Sequence, residues 1–172
     1  QRLGATRHSL MVNLGGGMVT DLGGFAASTF KRGINYINIP TTLLSMVDAS
    51  VGGKTGINFR GLKNEIGVFN NAASVIIDTR FLRTMDRENI LSGYAEMLKH
   101  GLISNEAMWS ELLCFDIEQP NFKVLQRMVA DSVAVKQRIV TEDPTEQGIR
   151  KALNLGHTAG HAFESFALKK SV

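Results

Sequence analysis

A run of glycines directly after a short apolar stretch constrains this chain more than any other feature. Residues 13–25 read Asn-Leu-Gly-Gly-Gly-Met-Val-Thr-Asp-Leu-Gly-Gly-Phe and follow the apolar residues 9–12. The spacing is neither G-x-G-x-x-G nor G-x-x-x-x-G-K-[ST]. Glycines in such a place allow a sharp turn from a strand into a helix, and they let the backbone approach a phosphate at the helix N-terminus. The segment predicts a strand, a loop and a helix that bind a diphosphate, or glycines that serve only tight packing.

The two halves of the chain carry different patterns. Twelve of the 17 glycines lie before residue 68, among short apolar runs at residues 9–14, 36–40 and 74–78. These runs are typical of buried parallel strands that feed helices. From about Asp86 the apolar residues recur at helical spacing, a second helix covers residues 122–139 until Asp143-Pro144, and a last helix begins near Gly156. The pattern predicts an α/β unit over residues 1–85 and a helical unit over residues 86–172.

Composition excludes several classes of protein. The 172 residues, 44% hydrophobic and 20% charged, suit a folded chain with little room for two complete domains. The longest uncharged stretch, residues 33–47, is interrupted by Pro40 and is too short to cross a bilayer. The single Cys114 cannot form a disulfide framework, and the first residues, where Arg2 and Arg7 flank a short mixed segment, do not form a signal peptide pattern, so we expect a cytoplasmic protein.

Charge favours small anionic ligands over nucleic acid. The net charge is only +3, and the basic residues are scattered along the sequence rather than clustered. Lysine and arginine spaced in this way suit phosphates and carboxylates. Both ends of the chain are abrupt, with no start signal at residue 1 and no helix cap after residues 162–168, so we expect further residues to complete both units.

Six separated motifs run in order along nearly the whole chain. They occupy residues 40–44, 48–58, 61–64, 81–84, 95–99 and 153–161, the last reading Leu-Asn-Leu-Gly-His-Thr-Ala-Gly-His. Together they resemble the 3-dehydroquinate synthase family of sugar-phosphate cyclases. The resemblance implies the second half of a Rossmann-like NAD-binding domain, followed by part of an all-helical domain that binds metal and substrate. It also implies two cofactors, NAD and a divalent metal, zinc or cobalt.

The resemblance further implies a reaction. In that family a seven-carbon heptulosonate phosphate becomes 3-dehydroquinate and phosphate in the shikimate route. One ring hydroxyl is oxidised to a ketone, phosphate is eliminated, the ketone is reduced again, and the ring opens and recloses by an aldol step. NAD is therefore recycled, and the net reaction is a lyase. A phosphorylated sugar acid as substrate and a homodimer follow from the same resemblance.

The nucleotide site is implied by several of the motifs. Thr20 departs from the glycine that is usual at its position in the family. The two threonines after Pro40 could alternatively be ordinary turn formers. The residues expected to bind NAD are Gly17, Met18, Val19, Thr20, Asp21, Thr41, Thr42, Lys54, Lys63, Phe81, Leu82, Arg83 and Thr84.

Glu96 and His157 match two metal ligands of the family, an oxygen and a nitrogen donor suited to zinc. The third family ligand lies in a Leu-His-Gly-Glu segment that this sequence lacks, so we expect it beyond Val172. His157 and His161 share one helix face, and spacing alone would make both of them ligands. The resemblance instead directs His161 to the substrate phosphate, where it assists proton transfer.

The remaining site residues are assigned to the substrate by the resemblance. Asp48 and Lys99 are expected to contact hydroxyls near the oxidised carbon and form the catalytic set with His161. Glu96 and Lys99 could alternatively be an ordinary surface ion pair. Lys136 and Arg150 are expected to bind the substrate carboxylate. The other expected substrate contacts are Arg32, which reaches the phosphate from a neighbouring subunit, and Lys54, Asn64, Glu146 and Asn154.

Three other functions remain open at this stage. One is a cyclase that takes sedoheptulose 7-phosphate or glucose 6-phosphate, neither of which carries a carboxylate, and Lys136 with Arg150 argues against it. Another is a metal-dependent alcohol dehydrogenase of the glycerol dehydrogenase type, which would show net hydride transfer. The last is a non-catalytic module that binds nucleotide but cannot complete its metal site, in which case the chain by itself is inactive.

Overall fold

The computed structural model describes residues 4–60 and 62–170. In this part of the chain the strands are β1 (Leu10–Gly15), β2 (Asn35–Pro40), β3 (Lys54–Phe59), β4 (Leu62–Phe69) and β5 (Ser74–Val75). The α-helices are α1 (Gly17–Thr29), α2 (Arg87–Ser104), α3 (Glu106–Cys114), α4 (Phe122–Glu142) and α5 (His157–Lys170). Short 3-10 helices cover Phe30–Arg32, Thr79–Thr84 and Ile149–Asn154, and a π-helical turn covers Ser45–Ala49.

A parallel sheet of order β1-β2-β5 forms the α/β part. Leu10 pairs with Asn35 and Gly15 with Pro40, and α1 connects the two strands. The prediction of a strand, a glycine loop and a helix is therefore confirmed. The prediction that β1 is a buried strand is wrong within the described chain, because Leu10, Val12 and Leu14 are each more than half exposed. Asn13 faces α1 on the other side of β1, so α1 covers only one face of this edge strand.

The predicted strand over residues 74–78 is shorter than expected. Only Ser74 and Val75 pair with β2. Asp78 instead begins the next helical turn, where its side chain accepts a 2.9 Å hydrogen bond from the backbone N–H of Arg80. An aspartate in this role competes with continued strand pairing, which explains the early end of β5.

The hairpin of β3 and β4 was not predicted from the sequence. The two strands pair antiparallel, with Thr55 opposite Val68 and Gly56 opposite Gly67. A methyl group on Gly24 of α1 would lie 2.5 Å from Thr55 Cγ2, so the hairpin packs directly on α1. Glycines in a strand weaken its sequence pattern, and here they are needed for close approach of neighbouring backbones.

The helical part surrounds one large core. The predicted helices after Asp86, over residues 122–139 and near Gly156 correspond to α2, α4 and α5, whereas α3 was missed. α4 ends at Glu142, directly before the Asp143-Pro144 pair. No helix of the described part is long and apolar enough to cross a membrane. The core is built by Leu43, Met46, Val47, Leu82, Tyr94, Met97, Leu112, Leu125, Met128 and Val129.

Candidate active site

The glycine loop presents the N-terminus of α1 to a cavity. Gly16 caps α1 without a side-chain hydrogen bond, and no acidic residue occupies the first turn. A methyl group on Gly16 would lie 3.2 Å from Thr42 Cγ2, and one on Gly17 would lie 3.2 Å from Ala49 Cβ. The loop is therefore packed closely against the segment after β2. Such a helix N-terminus, with exposed backbone N–H groups, favours an anionic ligand.

Val19 and Thr20 support this loop from behind. The Thr20 hydroxyl is almost fully buried and donates a 2.9 Å hydrogen bond to the carbonyl of Gly17. Val19 packs against Gly15, where a Cβ would meet its side chain at 2.6 Å. Thr20, which stands where the family usually has glycine, is thus accommodated by a hydrogen bond within α1. Neither residue lines the cavity in front of the loop or the smaller cavity that adjoins it.

The segment after β2 carries Asp48 into the site. The backbone N–H of Thr41 donates to the carbonyl of Gly15 at 2.9 Å, which joins the ends of β1 and β2. Thr42 Oγ1 lies 2.9 Å from Ser45 Oγ and accepts a hydrogen bond from the Ser45 N–H. The N–H of Ser50 then donates to the carbonyl of Ser45, which closes the π-helical turn around Asp48. Turns of this kind are rare and frequently occur at functional sites.

Two adjoining cavities meet at Asp21, Asp48, Asn64 and His157. The larger has a volume of about 1040 Å³ and extends from the N-terminus of α1 to α2. Its polar and loop residues are Gly17, Met18, Asp21, Thr42, Asp48, Asn58, Asn64, Glu96 and His157. The smaller has a volume of about 220 Å³ and is lined by Asp21, Asp48, Ala49, Val51, Lys54, Asn64, Lys136, Glu146, Arg150, Leu153, Asn154 and His157. Nine of these twelve residues are ones that the sequence predicted for the site.

A buried ion pair joins α4 to the π-helical turn. The Lys136 ammonium donates to a carboxylate oxygen of Asp48 and, at 2.5 Å, to the backbone carbonyl of the same residue. Burial lowers the pKa of Lys136. Burial raises the pKa of Asp48, but the Lys136 charge and hydrogen bond outweigh this effect and hold that pKa below its ordinary value. A lysine ammonium has three donors, so one N–H of Lys136 remains for a ligand.

Asp21 is the acid of the site with a raised pKa. Burial raises the pKa of Asp21 to about 6, the negative charge of Asp48 adds to the rise, and Lys136 opposes it. Its carboxyl group lines both cavities. A carboxyl group with a perturbed pKa in a cleft is typical of functional sites.

Arg150 is held by backbone carbonyls at the base of the smaller cavity. Its Nη1 donates to the carbonyl of Pro144 at 2.6 Å, and its Nη2 donates to the carbonyl of Gly52 at 2.8 Å. The guanidinium also lies 5.6 Å from the ring centre of Phe69. Gly52 has a φ of +102°, a conformation that favours glycine, and this turn aims its carbonyl at Arg150. Three further N–H groups of the guanidinium remain for a ligand.

Glu146 links two other predicted site residues. Its carboxylate pairs with the Lys54 ammonium and accepts a 2.7 Å hydrogen bond from the Asn154 amide. Burial raises the pKa of Glu146, but the hydrogen bonds from Lys54 and Asn154 outweigh it and the pKa is lowered. Glu146 has a φ of +61°, which is strained for a residue with a side chain.

Asp143 holds the loop that carries Glu146 and Arg150, and the sequence reasoning missed it. Its carboxylate accepts hydrogen bonds from the backbone N–H groups of Gln147 at 2.8 Å, Gly148 at 2.7 Å and Arg150 at 3.1 Å. The signal was present, since an aspartate before proline commonly organises the following backbone. Asp143 thereby fixes the backbone position from which the Arg150 side chain extends.

Glu96 supplies a mostly buried carboxylate to the larger cavity, which His157 also lines. Its Oε1 lies 2.5 Å from Lys99 Nζ and 3.3 Å from His100 Nε2, but no well-aligned hydrogen bond reaches this buried oxygen. Burial raises the pKa of Glu96, but His100 and the Lys99 ammonium outweigh it and the pKa is lowered. The Lys99 ammonium also donates to the carbonyl of Leu153. This carboxylate oxygen contacts the Lys99 ammonium, and Glu96 lines the larger cavity together with His157.

The described side chains supply an incomplete metal shell. Among them, no three His, Cys, Asp or Glu side chains are grouped so that they could hold a metal ion. Two of these side chains, Glu96 and His157, line the same cavity and offer the oxygen and nitrogen donors that zinc and cobalt accept. The side chains of Lys63 and His161 lie outside the described residues, so the predictions for both remain predictions.

Two predicted groups lie away from the two cavities. Arg32 lines a separate cavity of about 500 Å³ together with Arg7, Ser28 and Asn70. In the 3-10 helix Thr79–Thr84, Leu82 is buried in the helical core and the Arg83 guanidinium lies 5.4 Å from the ring centre of Phe122. Phe81 and Thr84 are exposed and line neither cavity of the site.

The sequence of this chain is similar to those of known proteins that share one name. A relative named 3-dehydroquinate synthase, from Parabacteroides distasonis, is 66% identical over 97% of this chain and 47% of its own length. The chain thus spans about half the length of the curated relatives it matches.

Two solved structures share the fold. A 2-deoxy-scyllo-inosose synthase complexed with carbaglucose-6-phosphate, NAD+ and Co2+ is 28% identical, with a TM-score of 0.84 over 95% of this chain and 45% of that one. A 2-epi-5-epi-valiolone synthase from Streptomyces hygroscopicus with NAD+ and Zn2+ bound is 30% identical, with a TM-score of 0.75 over 91% of this chain and 45% of that one.

Family models cover the whole chain in two consecutive matches. Residues 1–92 match the model described as 3-dehydroquinate synthase N-terminal, and residues 93–172 match the model described as 3-dehydroquinate synthase C-terminal. These matches agree with the resemblance of the six motifs and with the shared fold. The chain belongs to the 3-dehydroquinate synthase family.

Proposed function

We propose that this chain forms the nucleotide- and substrate-binding part of a 3-dehydroquinate synthase. The reaction converts 3-deoxy-D-arabino-heptulosonate 7-phosphate to 3-dehydroquinate and phosphate. The observation that carries the proposal is the smaller cavity, where Lys136 and Arg150 line one space with Asp48, Lys54 and Asn154. Two cations at the base of a cavity rich in hydrogen-bonding groups suit a polyhydroxylated acid with a phosphate.

Lys136 and Arg150 are the proposed carboxylate contacts. Both side chains are almost completely buried, so their charges are poorly screened by water. Both also retain donors beyond the hydrogen bonds that hold them. Asp48, ionised by its contact with Lys136, is placed to accept a hydrogen bond from a substrate hydroxyl, and Lys99 is the proposed second hydroxyl contact.

The phosphate is proposed to bind near Lys54 and Asn64. The Lys54 side chain is about half exposed, and both residues line the smaller cavity. Because Glu146 pairs with Lys54, an incoming phosphate competes with that carboxylate for the ammonium. We propose that Arg32 adds to this phosphate site from the neighbouring subunit of a homodimer, and that His161 assists proton transfer there.

NAD is proposed to bind in the larger cavity. When bound, NAD would accept a hydride from the substrate carbon that bears the oxidised hydroxyl and would return it later in the reaction. The N-terminus of α1 would hold the diphosphate, and Asp21 and Thr42 would contact the nucleotide. The close packing of Gly16 and Gly17 leaves the loop backbone, rather than side chains, facing that ligand. The family resemblance also assigns residues 81–84 and Lys63 to the nucleotide, although residues 81–84 line neither cavity.

Glu96 and His157 are proposed to hold the divalent metal, zinc or cobalt, with a third ligand outside the described side chains. When bound, the metal acts as a Lewis acid on substrate oxygens. Lys99 contacts Glu96 and is anchored by the carbonyl of Leu153, so its ammonium group is held beside this carboxylate. We propose that residues 1–85 form part of the NAD-binding domain. Residues 86–172 then form part of the domain that binds metal and substrate.

A cyclase for a sugar phosphate without a carboxylate is the second candidate. The solved structures with TM-scores of 0.84 and 0.75 favour it, since one of them holds carbaglucose-6-phosphate. The test uses the protein expressed from its complete gene, with NAD and zinc or cobalt. Phosphate release is measured with the heptulosonate phosphate and with sedoheptulose 7-phosphate in parallel. Release from the heptulosonate alone, without net NADH, is the expected result.

Variants at the base of the cavity sharpen this test. Arg150→Met should raise KM for the heptulosonate strongly, while Lys151→Met, which removes an exposed positive charge next to it, should leave KM unchanged. Release only from sedoheptulose 7-phosphate would overturn the carboxylate roles of Lys136 and Arg150. Accumulation of NADH without phosphate would favour a dehydrogenase instead. A cytoplasmic location is part of the proposal, as expected for a biosynthetic enzyme of this kind.

A further inference from the structure

One buried histidine has no part in the proposed reaction. His100 on α2 is completely buried, and its Nδ1 lies 2.6 Å from Oγ of Ser132 on α4. Ser132 is completely buried as well. It lies one helical turn before Lys136, so the contact joins the turn of α2 that carries Glu96 to the turn of α4 that carries Lys136.

The other ring nitrogen of His100 faces the proposed metal ligand. Nε2 lies 3.3 Å from Oε1 of Glu96, and both atoms are buried without a well-aligned hydrogen bond. A serine hydroxyl that donates to Nδ1 leaves the proton of a neutral imidazole on Nε2. Nε2 lies close to a carboxylate oxygen, which can only accept a hydrogen bond. The three side chains form a continuous series of buried contacts from Ser132 through His100 to Glu96.

We propose that His100, held by Ser132, is a positioning residue that orients the Glu96 carboxylate for a divalent cation. The proposal rests on the proposed role of Glu96 as a metal ligand. Because Lys99 approaches the same oxygen of Glu96 from the next position on α2, His100 and Lys99 together limit where this carboxylate can turn. Groups that orient a metal ligand in this way commonly change metal affinity about 10- to 100-fold when they are removed.

The test measures the dissociation constant for Zn2+ by competition with a chromophoric chelator, in the protein expressed from its complete gene. His100→Asn retains a polar group near Ser132 but removes the donor that faces Glu96, and it should weaken zinc binding about 10- to 100-fold. His100→Gln places an amide N–H near the position of Nε2 and should restore part of the affinity. Ser132→Ala removes the anchor and should weaken binding by a smaller factor.

Two further variants separate the possible causes. Tyr94→Phe removes the 2.6 Å hydrogen bond from the buried Tyr94 hydroxyl to the carbonyl of Leu112, on the same helix as His100. Tyr94→Phe should lower stability but leave zinc affinity unchanged. That result would show that a general loosening of α2 does not cause the loss of zinc affinity in the His100 variants. Glu96→Gln reports on the ligand itself and should weaken zinc binding at least as much as His100→Asn. Thermal melts of each variant establish that it is folded.

The outcomes are distinguishable. Wild-type zinc affinity in His100→Asn and Ser132→Ala, with affinity lost in Glu96→Gln, would overturn the positioning role and leave the proposed function intact. Wild-type affinity in Glu96→Gln would overturn its role as a ligand, and the inference about His100 with it. If His100→Asn does not fold, Ser132→Ala decides, and zinc affinity equal to wild type in that variant counts against the proposal.

Discussion

Asp21 is a carboxyl group that the fold keeps at an energetic cost, and replacing it should stabilise the protein. Its pKa is raised to about 6 from 3.8, first by burial and then by the nearby charge of Asp48. The folded state therefore binds the Asp21 proton more tightly than the unfolded state does. The stability from this proton is fully present below about pH 4 and is lost as the pH rises through about 6. We therefore expect Asp21→Asn to be more stable than wild type at neutral pH.

The magnitude follows from the same pKa. A rise from 3.8 to about 6 corresponds to about 3 kcal/mol at full effect. Because Asp21 is only partly buried and lines open cavities, solvent screens part of this energy. We expect Asp21→Asn to gain about 1 to 2 kcal/mol at pH 7.5, and the gain should disappear by about pH 4.

Urea unfolding of the protein from its complete gene, at pH values from 4 to 8, measures this difference. Glu142→Gln, which removes an exposed carboxylate at the end of α4, is the matched control and should show no such pH-dependent gain. Equal stability of Asp21→Asn and wild type at pH 7.5, or a gain that grows toward pH 4, would refute the reasoning. In that case Asp21 carries its charge without the cost that burial implies.

Two further predictions concern packing and the buried ion pair. Lys136→Met leaves the Asp48 carboxylate without its partner and should lower the free energy of unfolding by about 3 kcal/mol, whereas adding Asp48→Asn should recover most of the loss. A double-mutant cycle measured by urea unfolding checks this prediction. If the double variant loses as much stability as Lys136→Met alone, the prediction is wrong. Gly24→Ala places a methyl group 2.5 Å from Thr55 Cγ2 and should cost about 1 to 3 kcal/mol. Thr55→Ser removes that methyl contact and should restore the melting temperature of the Gly24→Ala variant. If the melting temperature is not restored, the clash involves atoms other than Thr55 Cγ2.

Several elements and most residues that line the smaller cavity could be predicted from the sequence, because both leave local signals. The glycine run after an apolar stretch predicted β1, the loop and α1, and helical spacing predicted α2 and α4. The family resemblance predicted nine of the twelve residues that line the smaller cavity, five within the six motifs and four outside them. Residue type and short spacing carry this information, since a turn or a helix is decided by neighbours in the chain.

Contacts between distant residues required the tertiary structure. The Lys136–Asp48 pair spans 88 positions and the Arg150–Gly52 hydrogen bond spans 98, and no local pattern marks either partner for the other. The hairpin of β3 and β4 escaped notice because its glycines, which allow close packing on α1, also weaken the alternation that identifies a strand. The sequence by itself therefore predicted most of the residues that line the smaller cavity. Only folding decided which charges neutralise one another, because pairing depends on distances between elements that the chain brings together from far apart.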